Sequence, residues 1–243
     1  TVAKLGYQGT VLPILIAIWA MSHIEKNIRK IVPNVLDIIV TPFLTILITG
    51  FVALFIIGPL GRGLGNGISS LLGAVLGGAG AIAGLGFGGL YSTIVITGVH
   101  HSFHAFEAEM IKNLGGNFLL PIWAMSNVAQ GGAAFGAFFK TKNEKIKAIA
   151  IPAGVSCLLG ITEAAIFGVN LRLGKPFIAA AIGGALGGAY VVLTKVFMTG
   201  VGVTGIPGIA IVANGHLLNY LIGMLIAFGG AFVGTWILGV KEA

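Results

Sequence analysis

The chain of 243 residues is 56% hydrophobic and only 9% charged, with a mean hydropathy of +1.02. Soluble domains carry about a quarter charged residues, so this composition excludes a soluble globular domain and indicates an integral membrane protein. The net charge of +7 sits in short Lys/Arg clusters between apolar runs, which points to membrane topology and away from nucleic acid, and the single Cys157 excludes an intrachain disulfide or a cysteine metal cluster. The apolar runs approach the ~20 residues of a helical span and lack the alternation of barrel strands. The expected fold is therefore all-α and integral to the membrane, with transmembrane helices and re-entrant helical hairpins. The chain opens at Thr1 with no Met and no signal-peptide pattern, so it is expected to be a piece of a longer polypeptide.

A first apolar stretch covers residues 7–21. In the HIEKNIRKIVPNV that follows, Ile24, Ile28, Ile31 and Val35 fall at helical spacing beside Glu25, Lys26, Arg29 and Lys30. That pattern predicts an amphipathic helix lying along the interface, and residues 1–36 are assigned to one domain. The second domain is assigned to 37–243. It begins with a span over 38–58 that stops at Gly58-Pro59. Residues 61–89 hold twelve glycines, which in an apolar run indicates close helix packing. Residues 90–116 carry His100, His101 and His104 followed by Glu107 and Glu109; these two glutamates and Lys112 are expected at the wet end of that element. A span over 117–139 contains Asn127 and Gln130, and KTKNEKIK at 140–147 reads as a cytoplasmic loop. Two further spans are expected at 176–198 and 217–240, joined by a Gly/Pro-containing connector.

Between the loop and those last spans lies AIAIPAGVSCLLGITEAAIFGVNL, residues 148–171. It carries one carboxylate, Glu163, in an otherwise uncharged run, with Lys145 and Lys147 before it and Arg172 and Lys175 after. A simple crossing carries its positive charge at one end only, so this segment predicts a hairpin that enters the membrane and returns, with Glu163 near the tip. Gly160 permits the turn, and Thr162 or Glu163 can cap the following half-helix. A carboxylate at membrane depth is costly and points to function: Glu163 can accept hydrogen bonds from hydroxyls, or act as a base once desolvated. Asn127 and Gln130 read equally as interhelical glue or as ligands. Arg172 and Lys175 read most simply as positive-inside anchors, and an Arg beside a cavity on the cytoplasmic side also suits a phosphate. His104 and Glu107 resemble half of a binuclear metal site, but the second half and any HExxH are missing, so no metal is assigned.

These segments resemble the membrane component, enzyme IIC, of sugar phosphotransferase systems in the glucose–glucoside superfamily. GITEAAIFGVNLRLGKPFIAAAIGGALGG is similar to its signature region. GVHHSFHAFEAEMI and NFLLPIWAMSNVAQGGAAFGAFFKTKNEKIKA resemble the sucrose-specific branch. The resemblance implies a multi-pass protein of the bacterial cytoplasmic membrane that takes up sucrose or a related glucoside without a cofactor. The sugar would be released inside as its 6-phosphate, with a phosphocysteine on an enzyme IIB domain as donor. It further implies that Glu163 and His100 contact the sugar, with Glu163 as candidate base. His101, Thr162, Asn127 and Gln130 join the binding set, and Arg172 is the phosphate-binding candidate. The implied partners are the sugar, the phosphorylated IIB domain and the lipid bilayer, with a homodimer for the full-length form. Ala164 departs from the Pro usual after the motif Glu, and no IIB domain with its own reactive cysteine is present. A proton-coupled secondary sugar transporter using Glu163 and His100 is the competing expectation.

Overall fold

The computed structural model describes residues 11–34, 36–202 and 204–240. It divides into two compact units, residues 1–71 and 72–243. The described residues are helical apart from turns and isolated bridges. Among them, the helices long and apolar enough to cross a membrane are Asp37–Leu60, Lys175–Leu193 and Leu217–Leu238.

In the first unit, α1 (Val11–Ile28) packs against α2 (Asp37–Val52). A π turn, Ala53–Ile57, carries α2 on into α3 (Gly58–Gly78). Thr41, Thr45 and Thr49 recur at one-turn spacing and are buried, while Ile38, Ile39, Phe43 and Ile46 are exposed on the other side, as a lipid-facing helix requires. The basic segment after His23 does not form its own interfacial helix. Instead α1 runs through Ile24 and stops at Ile28, and turns follow it. Pro33 disfavours helical backbone in the residue before it. Arg29 also ties the turn: it donates to Glu25 (2.9 Å) and to Asp37 (3.0 Å), and the two carboxylates hold its guanidinium above its ordinary pKa. Residues 7–10 of the first apolar stretch and Val35 lie outside the described residues.

The second unit is built around α6 (Leu120–Lys140), which is buried along nearly its whole length. Helices α4 (Ala81–Ile96), α7 (Glu144–Leu158), α10 (Lys175–Leu193) and α11 (Leu217–Leu238) pack on it. The expected span at 117–139 is thus a helix enclosed by protein rather than lipid. Asn127 and Gln130 are affordable there because other side chains, not hydrocarbon, surround them. Gly80, at φ +50°, separates α4 from the preceding helix. The glycines of α4 and α10 then let two backbones touch: a Cβ on Gly88 would strike the carbonyl of Gly184.

Helix α7 starts at Asn143, whose side chain accepts from the N–H groups of Lys145 and Ile146. After Leu158 the chain turns at Gly160 (φ +91°) and returns as one helical arm: α8 (Glu163–Ala165), a π turn (Ile166–Asn170) and α9 (Leu171–Leu173). Ile146, Ala150, Ala153 and Cys157 of the outgoing arm meet Ala165, Val169 and Leu173 of the returning one over Ala134 and Ala137 of α6. Between α4 and α6, a 3-10 turn (Val99–Ser102) leads into α5 (Phe103–Leu114). The connector between α10 and α11 is held by backbone pairing. Met198 bridges Asn117 on one side and Val212 on the other, and the Asn117 side chain accepts from the N–H groups of Leu119 and Leu120 at the start of α6.

Candidate functional site

Three irregular segments of the second unit converge on one cavity of about 340 Å³: the histidine turn, the hairpin tip and the connector. Its polar lining consists of His100, His101, His104, Asn127, Thr162, Glu163 and Thr204. Tyr91, Val95, Leu120 and Val201 supply apolar wall.

The histidine turn is built by Gly98, whose φ of +74° ends α4 in the left-handed region. The next residues then fold back over α4 as a 3-10 turn. His100 sits edge-on to Tyr91 (6.4 Å between ring centroids, 82°), and Tyr91 stacks on Trp123 of α6 (4.4 Å, 15°). Phe87 and Phe103 close on Trp123 edge-first, so the imidazole rests on a packed aromatic base. His100 Nδ1 is buried, and the ring faces the Val95 backbone near the end of α4. The ring of His101 lies 4.0 Å from that of His100 and 5.8 Å from that of His104, which makes a continuous imidazole ridge along one wall.

The hairpin tip faces this ridge. Ser156 Oγ donates to the Ile161 carbonyl (2.9 Å), and the Ile206 N–H of the connector donates to the Leu158 carbonyl (2.7 Å). A Cβ on Gly160 would lie 2.9 Å from the Thr204 carbonyl, so the connector rests directly on the turn. Thr162 is buried, whereas Glu163, the first residue of the returning arm, is exposed to the cavity and interacts electrostatically with His100. From α6, Asn127 Nδ2 donates to Thr204 Oγ1 (2.7 Å), and Tyr220 of α11 donates to the Gly205 carbonyl (2.8 Å). The tip is therefore braced from α6, α11 and the connector together.

Of the residues singled out in the sequence, Glu163, His100, His101, Thr162 and Asn127 come together here. Gln130 does not line the cavity: it is fully buried between α6 and the returning arm, where its Oε1 accepts from Asn170 Nδ2 (2.7 Å). Arg172 is exposed on α9, at the far end of the arm that Glu163 begins. Glu107 and Glu109 correct the expectation of a wet helix end, since both are buried. They turn inward because they have partners there: Glu107 Oε2 meets His104 Nδ1 at 3.2 Å, and Glu109 Oε2 accepts from Asn113 Nδ2 at 3.4 Å. Lys112 is exposed as expected. Tyr91 and Thr204 were missed. Tyr91 is embedded in an apolar helix, where a tyrosine reads as packing, and Thr204 lies in a connector whose composition indicated only a turn.

The arrangement offers one carboxylate, three imidazoles, an amide and two threonine hydroxyls, with the Tyr91 phenol on a partly aromatic wall. Such a lining matches a small, uncharged, hydroxyl-rich molecule, and the volume lies at the lower end of the ~300–1,000 Å³ usual for ligand pockets.

Comparison with known proteins agrees with that chemistry. Residues 1–184 match the family model described as "Phosphotransferase system, EIIC". The "PTS system sucrose-specific EIIBC component" of Salmonella typhimurium is 62% identical over 99% of this chain and 53% of its own length. The protein of the same name from Bacillus subtilis is 58% identical over the same shares. The trehalose-specific EIIBC component of Bacillus subtilis is 44% identical over 97% of this chain and 50% of its own length. The chain spans about half the length of these curated relatives. No solved structure matches. These relatives give no support to the proton-coupled alternative.

Proposed function

Because the chain belongs to the phosphotransferase system EIIC family, we propose that it is the part of a sucrose permease that holds the sugar in the membrane and presents it for phosphorylation. The protein is a multi-pass protein of the bacterial cytoplasmic membrane. The observation that carries the proposal is the meeting of Glu163 and His100, distant in sequence, across one cavity with Asn127 and Thr162.

In this reading the Glu163 carboxylate accepts a hydrogen bond from a sugar hydroxyl, and His100 bonds the reacting hydroxyl. Asn127 and Thr162 hold further hydroxyls, and Tyr91 offers an apolar face to a sugar ring. The donor is a phosphocysteine of an enzyme IIB domain, in keeping with the EIIBC names of the relatives. The hydroxyl oxygen attacks phosphorus, the O–P bond forms as the S–P bond breaks, and the thiolate leaves on the IIB domain. The hydroxyl proton passes to Glu163, the candidate general base. Arg172 lies about 14 Å along the helical arm from Glu163 by helix rise, so it meets the phosphoryl donor at the cytoplasmic face rather than the bound sugar.

The two hairpin arms support a re-entrant reading. At 15 residues α7 is about 22 Å long, short of the ~30 Å hydrocarbon core. In this reading the tip stops at membrane depth, where irregular backbone is tolerated because it lines a cavity.

The test is sucrose binding to the intact permease by calorimetry with no phosphoryl donor present. Wild type should bind saturably, and Glu163→Gln should weaken binding about tenfold or more, the cost of a charged hydrogen bond. Unchanged affinity in Glu163→Gln would remove the carboxylate from the site.

A further inference from the structure

Glu107 is fully buried, yet it lies only three residues from a histidine on the cavity wall. A buried carboxylate is costly unless it is paired. Its Oε2 meets His104 Nδ1 at 3.2 Å, and the side chains of Trp123 and Asn117 also face the carboxylate. His104 itself is half exposed, with 47% of its side chain accessible. The pair thus has a buried end and an open end. When Nδ1–H donates to the carboxylate, Nε2 is left as a lone-pair acceptor. The ring is also held in position, because it continues the ridge from His101 at 5.8 Å.

We propose that His104 is a further sugar ligand whose Nε2 accepts a hydrogen bond from a carbohydrate hydroxyl, and that Glu107 is the positioning residue that orients it. The inference rests on reading this cavity as the sugar site. It adds a second carboxylate-backed arm on the wall opposite Glu163, one that touches sugar through imidazole rather than directly. Its role is binding and orientation, with no part in taking the proton from the reacting hydroxyl.

The experiment is sucrose calorimetry on the intact permease with its IIB domain, using wild type, Glu163→Gln, His104→Ala, His104→Phe, Glu107→Gln and the double variant His104→Ala/Glu107→Gln. His104→Phe keeps a ring of similar volume without nitrogens, so it separates lost hydrogen bonding from lost packing. Both His104 variants should bind sucrose about tenfold more weakly, as for one lost hydrogen bond in a desolvated site. Glu107→Gln should weaken binding by a smaller factor, about threefold. The double variant should match His104→Ala alone, because Glu107 acts only through His104. Additive losses would mark Glu107 as merely structural and overturn its positioning role. If His104→Ala or His104→Phe bound sucrose as tightly as wild type while Glu163→Gln lost it, the inference would fail and the sugar site would stand. Absence of binding by wild type would defeat the site itself.

Discussion

Gly160 joins backbone conformation to the placement of Glu163. At φ +91°, with the Thr204 carbonyl 2.9 Å from where a Cβ would stand, the position admits only glycine. Gly160→Ala should cost about 1–2 kcal/mol for the left-handed backbone alone and lower the thermal unfolding midpoint. It should also weaken sucrose binding, because the turn that aims Glu163 must shift; a variant with wild-type stability and affinity would show that the turn tolerates a side chain. Asn127→Ala leaves the Thr204 hydroxyl without its 2.7 Å donor, and should destabilise the connector by about 1–3 kcal/mol in the same assay. At this scale the sequence was most legible where chemistry broke composition. A carboxylate in an apolar run and paired histidines after one were visible without coordinates. Gln130 and Asn127 looked alike, since both are amides on one apolar helix. Only the packing of Asn170 against one and Thr204 against the other separates glue from cavity wall.

At the scale of elements, glycine spacing decided which helices touch. Gly88 faces the backbone of Gly184, and Gly88→Val should force α4 from α10 at about 1–3 kcal/mol, the usual cost of overpacking, read as a lower unfolding midpoint. The hairpin makes a separate prediction about topology. Lys145→Cys and Arg172→Cys, at exposed positions flanking its two arms, should react with a membrane-impermeant thiol reagent from the same side, the cytoplasmic one. Labelling from opposite sides would turn the hairpin into a crossing. The helix-turn-helix at 144–173 was legible because charge at both ends and one glycine encode it. The burial of α6 was not legible from its own residues, because an apolar run facing protein and one facing lipid have the same composition. The basic segment misled for a related reason. Ile24, Ile28 and Ile31 keep helical spacing whether or not Pro33 lets a helix continue.

The chain divides into a helical unit that includes α1 and α2 and a unit built around the buried α6 and a polar cavity, and both carry exposed apolar side chains. Its family was legible in the motifs, and the histidine, α6 and hairpin motifs each lie on a segment that reaches the cavity. The central claim is that Glu163 in this cavity engages a sugar whose transport is driven by a phosphocysteine donor. The direct measurement is sucrose uptake by vesicles carrying the intact permease, with and without phosphorylated IIB domain, for wild type and Glu163→Gln. The account predicts donor-dependent uptake by wild type and its loss in Glu163→Gln. Wild-type uptake by that variant, or uptake driven by a proton gradient with no phosphoprotein present, would contradict it.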